Sequence, residues 1–411
     1  MSTPAPTLPS ADRQPGHVWP AIFGFAITRL LGNLFIRFPY VFITQISRGL
    51  GVQVETLTLI LGARELGGLV APLTGRWVDR GHTARVIVAG GVIAGTACMA
   101  AATTNVAAFV VIMVIGGAAK ISIDLAQNAW LGHNVAIHTR GRVLWVVEAT
   151  WALAFLAGVP AIAWLISLFG WRAGFIVTGP LLVVAAIVSG LRLREGEDVV
   201  ANDGPGLIDI IEPDASPTTL RRPSHRLKPA VWIFCAMQPL AQMLIFAVNG
   251  DWFSESLDLT VTAVGTATLL LGAAELIGAV ITVWFTDRYG SIRCGMWGMG
   301  LAIPPLLAIT VVGHNAAAAI ALLFVMDIAI EFGFVAVLPV FSELDPANRG
   351  KAVSQVFVIM MVTRAVGSGA AGFIYSMGGF SASVVAASIA CAGAVAALGW
   401  CHLDDRRLAA A

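Results

Sequence analysis

Twelve apolar runs divide this chain, at 19–45, 54–77, 85–104, 107–132, 143–167, 172–191, 229–250, 261–285, 292–313, 316–341, 352–376 and 380–402. A helix of about 20 residues crosses the hydrocarbon core of a bilayer. Lipid offers the backbone no water to bond, so each run must close its own hydrogen bonds as an α-helix. Composition agrees, with 57% hydrophobic and only 12% charged residues and a mean hydropathy of +0.83. The expected fold is an all-α integral membrane protein with twelve transmembrane helices.

Short polar breaks such as "DRGHTAR", "HTRGR", "DRYGSIR" and "DPANRGK" separate the runs. One long break, Arg192 to Lys228, is acidic, contains Pro and Gly, and divides six runs from six. The expected organisation is a polar tail at 1–18, a six-helix bundle at 19–191, a linker at 192–228, a second bundle at 229–402 and a tail at 403–411. Cations orient the chain. Arg76, Arg80, Arg85, Arg140, Arg142, Arg288, Arg293, Arg349 and Lys351 all fall on the side of the termini, whereas only Arg48 and Arg172 fall in loops on the other. The positive-inside rule then places both termini in the cytoplasm of a multi-pass cell-membrane protein.

Two phrases nearly repeat: "LGARELGGLVAPLTGRWVDR" from Leu61 and "LGAAELIGAVITVWFTDR" from Leu271. The offset is 210 residues for Glu65 and Glu275, 208 for Asp79 and Asp287, and 209 for Arg140 and Arg349, which stand in "TRGRV" and "NRGKA". Each pair lies at the equivalent helix of its half. A six-helix unit was therefore duplicated in the same orientation. Parallel repeats with a site between them at the midplane suit alternating access.

These features resemble the major facilitator superfamily over essentially all of 19–402. The resemblance implies a two-bundle, twelve-helix transporter. Its signature after helix 2, Gly-xxx-Asp-Arg-x-Gly-Arg-Arg, is matched by Gly75, Asp79, Arg80 and Arg85, but Gly81 sits one place early and His82 takes the glycine position. The second copy keeps Asp287, Arg288, Gly290 and Arg293, with Val283 in place of the first Gly. In that family the motif is implied to lock the inner gate, an Asp meeting a helix N-terminus and arginines pairing across the seam. The alternative is that Arg76 or Arg293 is simply a positive-inside loop charge. Antiporters of the family carry Gly-xxx-Gly-Pro on helix 5. Here "AFLAGVP" keeps Gly158 and Pro160 but has Ala154 for the first Gly and an inserted Val159, a faint sign of export.

Ionisable residues inside the spans carry the mechanism, because each costs about 2.5–3.5 kcal/mol to insert even on lenient scales. The cations are Arg29, Arg37, Arg64, Lys120 and Arg364; the acids are Glu65, Asp124, Glu148, Glu275, Asp327 and Glu331, with Asp251 near the end of span 7. Lys120 and Asp124 stand four apart and could form an intrahelical pair. Arg64 and its neighbour Glu65 are expected to face different ways, so at least one finds a partner on another helix. Glu65 and Glu275, being repeat-equivalent, suit a shared structural or gating role. The family resemblance implies that helices 1, 4, 7 and 10 line the cavity, which selects Arg29, Arg37, Tyr40, Lys120, Asp124, Asp327 and Glu331 as cavity candidates, and Arg364 joins them from mid-span of helix 11. Internal ion pairing that merely holds helices together is the plainer reading.

All seven histidines lie at span ends or in polar segments, so a proton relay would have to use carboxylates: Asp327 and Glu331 first, then Asp124 and Glu148. No HExxH, Ser-His-Asp or His/Cys cluster supports an enzyme, a metal or a cofactor, and no GxxxxGK[ST] loop supports direct use of ATP. Five cysteines without a CxxC pair read as inert buried thiols. No basic block suggests nucleic acid. The expected partners are a small-molecule substrate, protons and the bilayer, with the chain acting as a monomer. The function expected is proton-coupled efflux of a small organic or lipophilic molecule. Symport or facilitated passage of an organic anion is the alternative within transport, and a substrate-sensing receptor the alternative outside it.

Overall fold

Prolines and glycines decide where the apolar runs bend. A computed structural model of the protein describes residues 19–102, 105–135, 137–194, 226–312, 315–345 and 349–410. The expected tail at 1–18 and most of the linker lie outside the described residues. The membrane-length helices are α1 (Trp19–Val41), α2 (Val54–Asp79), α3 (Thr83–Ala101), α4 (Val106–Leu131), α5 (Val146–Phe169), α6 (Arg172–Leu193), α7 (Leu227–Ser256), α8 (Val261–Tyr289), α9 (Ser291–Val312) and α10 (Ala316–Val337). A last stretch, Ala352–Leu403, is two helices, α11 (352–378) and α12 (380–403), which meet at Gly379 with φ 65°. That left-handed φ favours glycine. The helix continues past 403 to Ala410, where the sequence reading placed a tail.

Ends of even helices and starts of odd ones gather at one face, called here the near face. α1 to α6 form one bundle and α7 to α12 the other. Small residues let helices approach closely within each bundle. Gly298 of α9, for example, lies against Gly333 of α10, where an added Cβ would stand 2.4 Å from the Gly333 Cα. The duplication shows in the caps as well. Asn105 and Asn315, 210 apart, each accept a hydrogen bond from the backbone N–H three residues on, at the starts of α4 and α10.

The two bundles touch mainly in the far half. Across the seam, Gly62 of α2 meets the Ala365 carbonyl of α11, and Gly265 of α8 meets Ala163 of α5. Gly75, near the other end of α2, has nothing within 4 Å of its Cβ position. α1 is kinked by Pro39 and resumes at Ile43–Leu50. Its resumed turn reaches the second bundle through Thr44 to Asp251 at 2.8 Å, Gln45 to Ser254 at 3.5 Å and Arg48 to Glu255. The interior is closed toward the far face and parts toward the near one.

Candidate functional site

The charged residues of the spans assemble into three clusters. In the first, Arg29 of α1 is buried and donates to Asn128 Oδ1 at 2.8 Å and to Glu148 Oε1 at 2.7 Å. Its Nε lies 4.0 Å from Asp124, which also pairs with Lys120 one turn away on α4. The intrahelical Lys120–Asp124 pair anticipated from spacing is therefore present. Two cations face two carboxylates here, within one bundle, so the cluster is neutral. Glu148 is 53% exposed, because the bundles part on its side of α5.

The second cluster crosses the seam. Arg37 donates from Nη2 to Glu275 Oε1 at 2.8 Å and from Nη1 to Glu275 Oε2 at 2.9 Å. Nη1 also reaches the Trp151 carbonyl at 3.3 Å, and the guanidinium stacks 3.9 Å over the Phe155 ring. α5 turns from α to π geometry at Ala154–Gly158, within the "AFLAGVP" stretch, a local widening common at functional sites. Asp327 of α10 is only 9% exposed, and Glu331 is partly buried one turn on. Glu275 is in electrostatic reach of both. Neither Asp327 nor Glu331 has a hydrogen bond or ion pair among the described residues. Three carboxylates thus share one cation.

The third cluster also joins the bundles. Glu65 accepts from Arg364 Nε of α11 at 3.1 Å and from Arg64 Nη2 at 3.2 Å. Arg64 is fully buried, gives Nη2 to the Ile36 carbonyl at 2.8 Å and lies beside the Tyr40 ring. The expectation that Arg64 and Glu65 face apart is corrected: the two touch. α2 tightens into a 3-10 turn at Leu66–Val70, and the long guanidinium stem reaches past its neighbour. The cross-helix partner expected for Glu65 is Arg364. Tyr40 donates to Ser368 at 3.1 Å, and Ser368 to the Thr58 carbonyl at 2.8 Å. Here two cations face one carboxylate.

A cavity between the bundles is lined by Arg37, Glu275, Asp327 and Arg364, with Phe155 and Phe246 among its apolar walls. α5, α8 and α11 contribute as much as α1 and α10, so cavity residues are not confined to helices 1, 4, 7 and 10. Residues not selected from the sequence include Asn128, an uncharged partner of Arg29, and Asp251. That buried acid bonds Thr44 across the seam and Tyr375 within its own bundle. Its charge near the end of span 7 was the available signal.

The gating motif stands apart from the cavity. Asp79, Arg80, Arg85, Asp287, Arg288, Gly290 and Arg293 are exposed at the near face. Asp79 and Asp287 carry no ion pair among the described residues. The side chains of Arg140 and Arg349 lie outside the described residues.

The family model of the Major Facilitator Superfamily matches twice, over residues 22–241 and 231–410. The chain belongs to this superfamily. Its members are transporters rather than enzymes, which sets the function class. Multidrug resistance protein 2 of Bacillus subtilis is 24% identical over 173 residues, 40% of this chain and 43% of that protein. The uncharacterised MFS-type transporter YceJ of the same species is 26% identical over 56% of each chain. A gentisate transporter of Corynebacterium glutamicum is 26% identical over 40% of this chain and 41% of its own. The chain thus spans about half the length of the curated relatives it matches. A bacterial homologue of the human lysosomal transporter Spinster, solved inward-facing and occupied, superposes with a TM-score of 0.68 at 12% identity over 96% of both chains. That likeness is one of fold.

Proposed function

We propose that this superfamily member is a proton-coupled secondary transporter that exports a small organic or lipophilic molecule by alternating access, exchanging it for protons. Residues 19–191 and 229–402 are the two moving bundles, joined by a cytoplasmic linker at 192–228 and flanked by cytoplasmic tails. The near face is then cytoplasmic in the cell membrane, and the cavity opens inward. One observation carries the reading: Asp327 and Glu331 have no hydrogen bond or ion pair among the described residues, while the nearby Arg37 is held by Glu275 in two hydrogen bonds. Unpaired carboxylates at membrane depth are costly as anions, and a proton relieves that cost. Asp124 and Glu148 already face Arg29 and Lys120, which ranks them second as coupling groups. The multidrug resistance relative supports export.

A second reading, symport of a proton with an organic anion, is favoured by Arg364. Its bond to Glu65 uses Nε, and no hydrogen bond among the described residues occupies its Nη atoms. Reconstitution in proteoliposomes separates the two, because an interior-acid gradient drives uptake by exchange and an exterior-acid gradient drives uptake by symport. In the same vesicles, Asp327→Asn and Glu331→Gln should abolish concentrative flux, and exchange without a gradient should survive in Glu331→Gln. If both variants still concentrate cargo, coupling lies elsewhere and Asp124 or Glu148 takes its place.

A further inference from the structure

Two side chains of the cavity keep free ends of opposite sign. Asp327 is nine-tenths buried, lines the cavity on α10 and has no hydrogen bond or ion pair among the described residues. Arg364 lines the same cavity from α11, is 22% exposed and is tied to Glu65 through Nε, with no hydrogen bond on its Nη atoms among the described residues. The other charges on the wall are spent on each other, since Glu275 closes Arg37 in a two-pronged pair. Phe155, Phe246 and Met326 give the wall apolar surface, and Gln242 and Asn249 add uncharged polar groups to it. A guanidinium end with two parallel N–H groups matches a carboxylate, and a desolvated carboxylate matches an ammonium.

From this juxtaposition we propose that the cargo is an amphipathic zwitterion, with its cationic group on Asp327, its acidic group on Arg364 and an apolar body against Phe155 and Phe246. The inference rests on the transporter reading and names its substrate class. A cargo with only one charge leaves the opposite free end buried and unmatched, which is how a polar site rejects an analogue.

Binding at constant pH tests the class without any flux. L-Phenylalanine and 4-(aminomethyl)benzoic acid serve as zwitterions with different charge separations. Their methyl esters serve as cations, and their N-acetyl forms as anions. Quenching of intrinsic tryptophan fluorescence in detergent-purified protein reports affinity. At least one zwitterion should bind about tenfold or more tightly than both its capped forms, in line with one charge-assisted hydrogen bond lost. Asp327→Asn should remove the advantage over the N-acetyl form and keep that over the ester; Arg364→Gln should do the reverse. Arg364→Lys, which keeps the charge beside Glu65 but not the fork, separates loss of docking from loss of folding. Equal binding of an ester and its parent overturns the proposal in favour of a cation site. Equal binding of an N-acetyl form favours an anion site. No binding of either zwitterion at 10 mM, on the order of the weakest useful affinity, also overturns it. Proton-driven flux of some other cargo would still stand after any of these results.

Discussion

Arg37 on the first bundle and Glu275 on the second face each other through two hydrogen bonds, 2.8 and 2.9 Å long, with neither side chain more than 12% exposed. Glu65 makes the corresponding bridge from the first bundle to Arg364 of the second. The repeated glutamate of the duplicated unit therefore clasps the opposite bundle from both sides. Its arginine partners, on α1 and α11, are not repeat-equivalent.

Glu275→Gln should favour a state open at the far face, because it strands a buried guanidinium at a cost of about 3–5 kcal/mol in the state that holds the pair. Single cysteines placed near Thr44 and Asp251 should label faster from the far side. The double exchange Arg37→Glu with Glu275→Arg should restore part of the closure. Unchanged labelling in the single variant removes the pair from the gate.

The third cluster predicts an asymmetry. Glu65→Gln leaves Arg64 and Arg364 facing each other without an anion, whereas Arg364→Gln leaves the Arg64–Glu65 pair neutral. Glu65→Gln should lower Tm in detergent further than Arg364→Gln. The reverse order contradicts the charge balance drawn here.

Gly250 sits where α7 crosses the kink of α1, and a Cβ there would stand 2.2 Å from the Val41 carbonyl. Gly250→Ala should fold normally, since the clash lies between bundles, yet fail to close the far face. Far-side cysteine labelling at a rate matching wild type argues that the α1 turn simply yields.

Asp79→Asn and Asp287→Asn should not change Tm measurably in this conformation, where both acids are exposed and free of ion pairs among the described residues. If they lock the near face when it closes, each variant should bias the protein toward near-face opening and slow transport. Equal near-face accessibility and equal flux in both variants would falsify the locking role.

The membrane class, the twelve helices and the duplication were legible because lipid imposes them on every residue of a span. Hydrophobic length fixes helix count, and an offset near 210 exposes the repeat. Lys120 and Asp124 could be paired from spacing alone, since one helix turn sets their distance. The partners of Arg37, Glu65 and Arg29 could not. Their cross-helix hydrogen-bond partners lie 99 to 299 positions away in the chain, as with Arg29 to Asn128 and Arg364 to Glu65, and helix rotation about its axis decides which faces meet. For the same reason packing alone decided that Asp327 and the Nη end of Arg364 have no hydrogen bond among the described residues. That charges lie within the membrane was readable in the chain; packing of the two bundles decided which of them pair with each other.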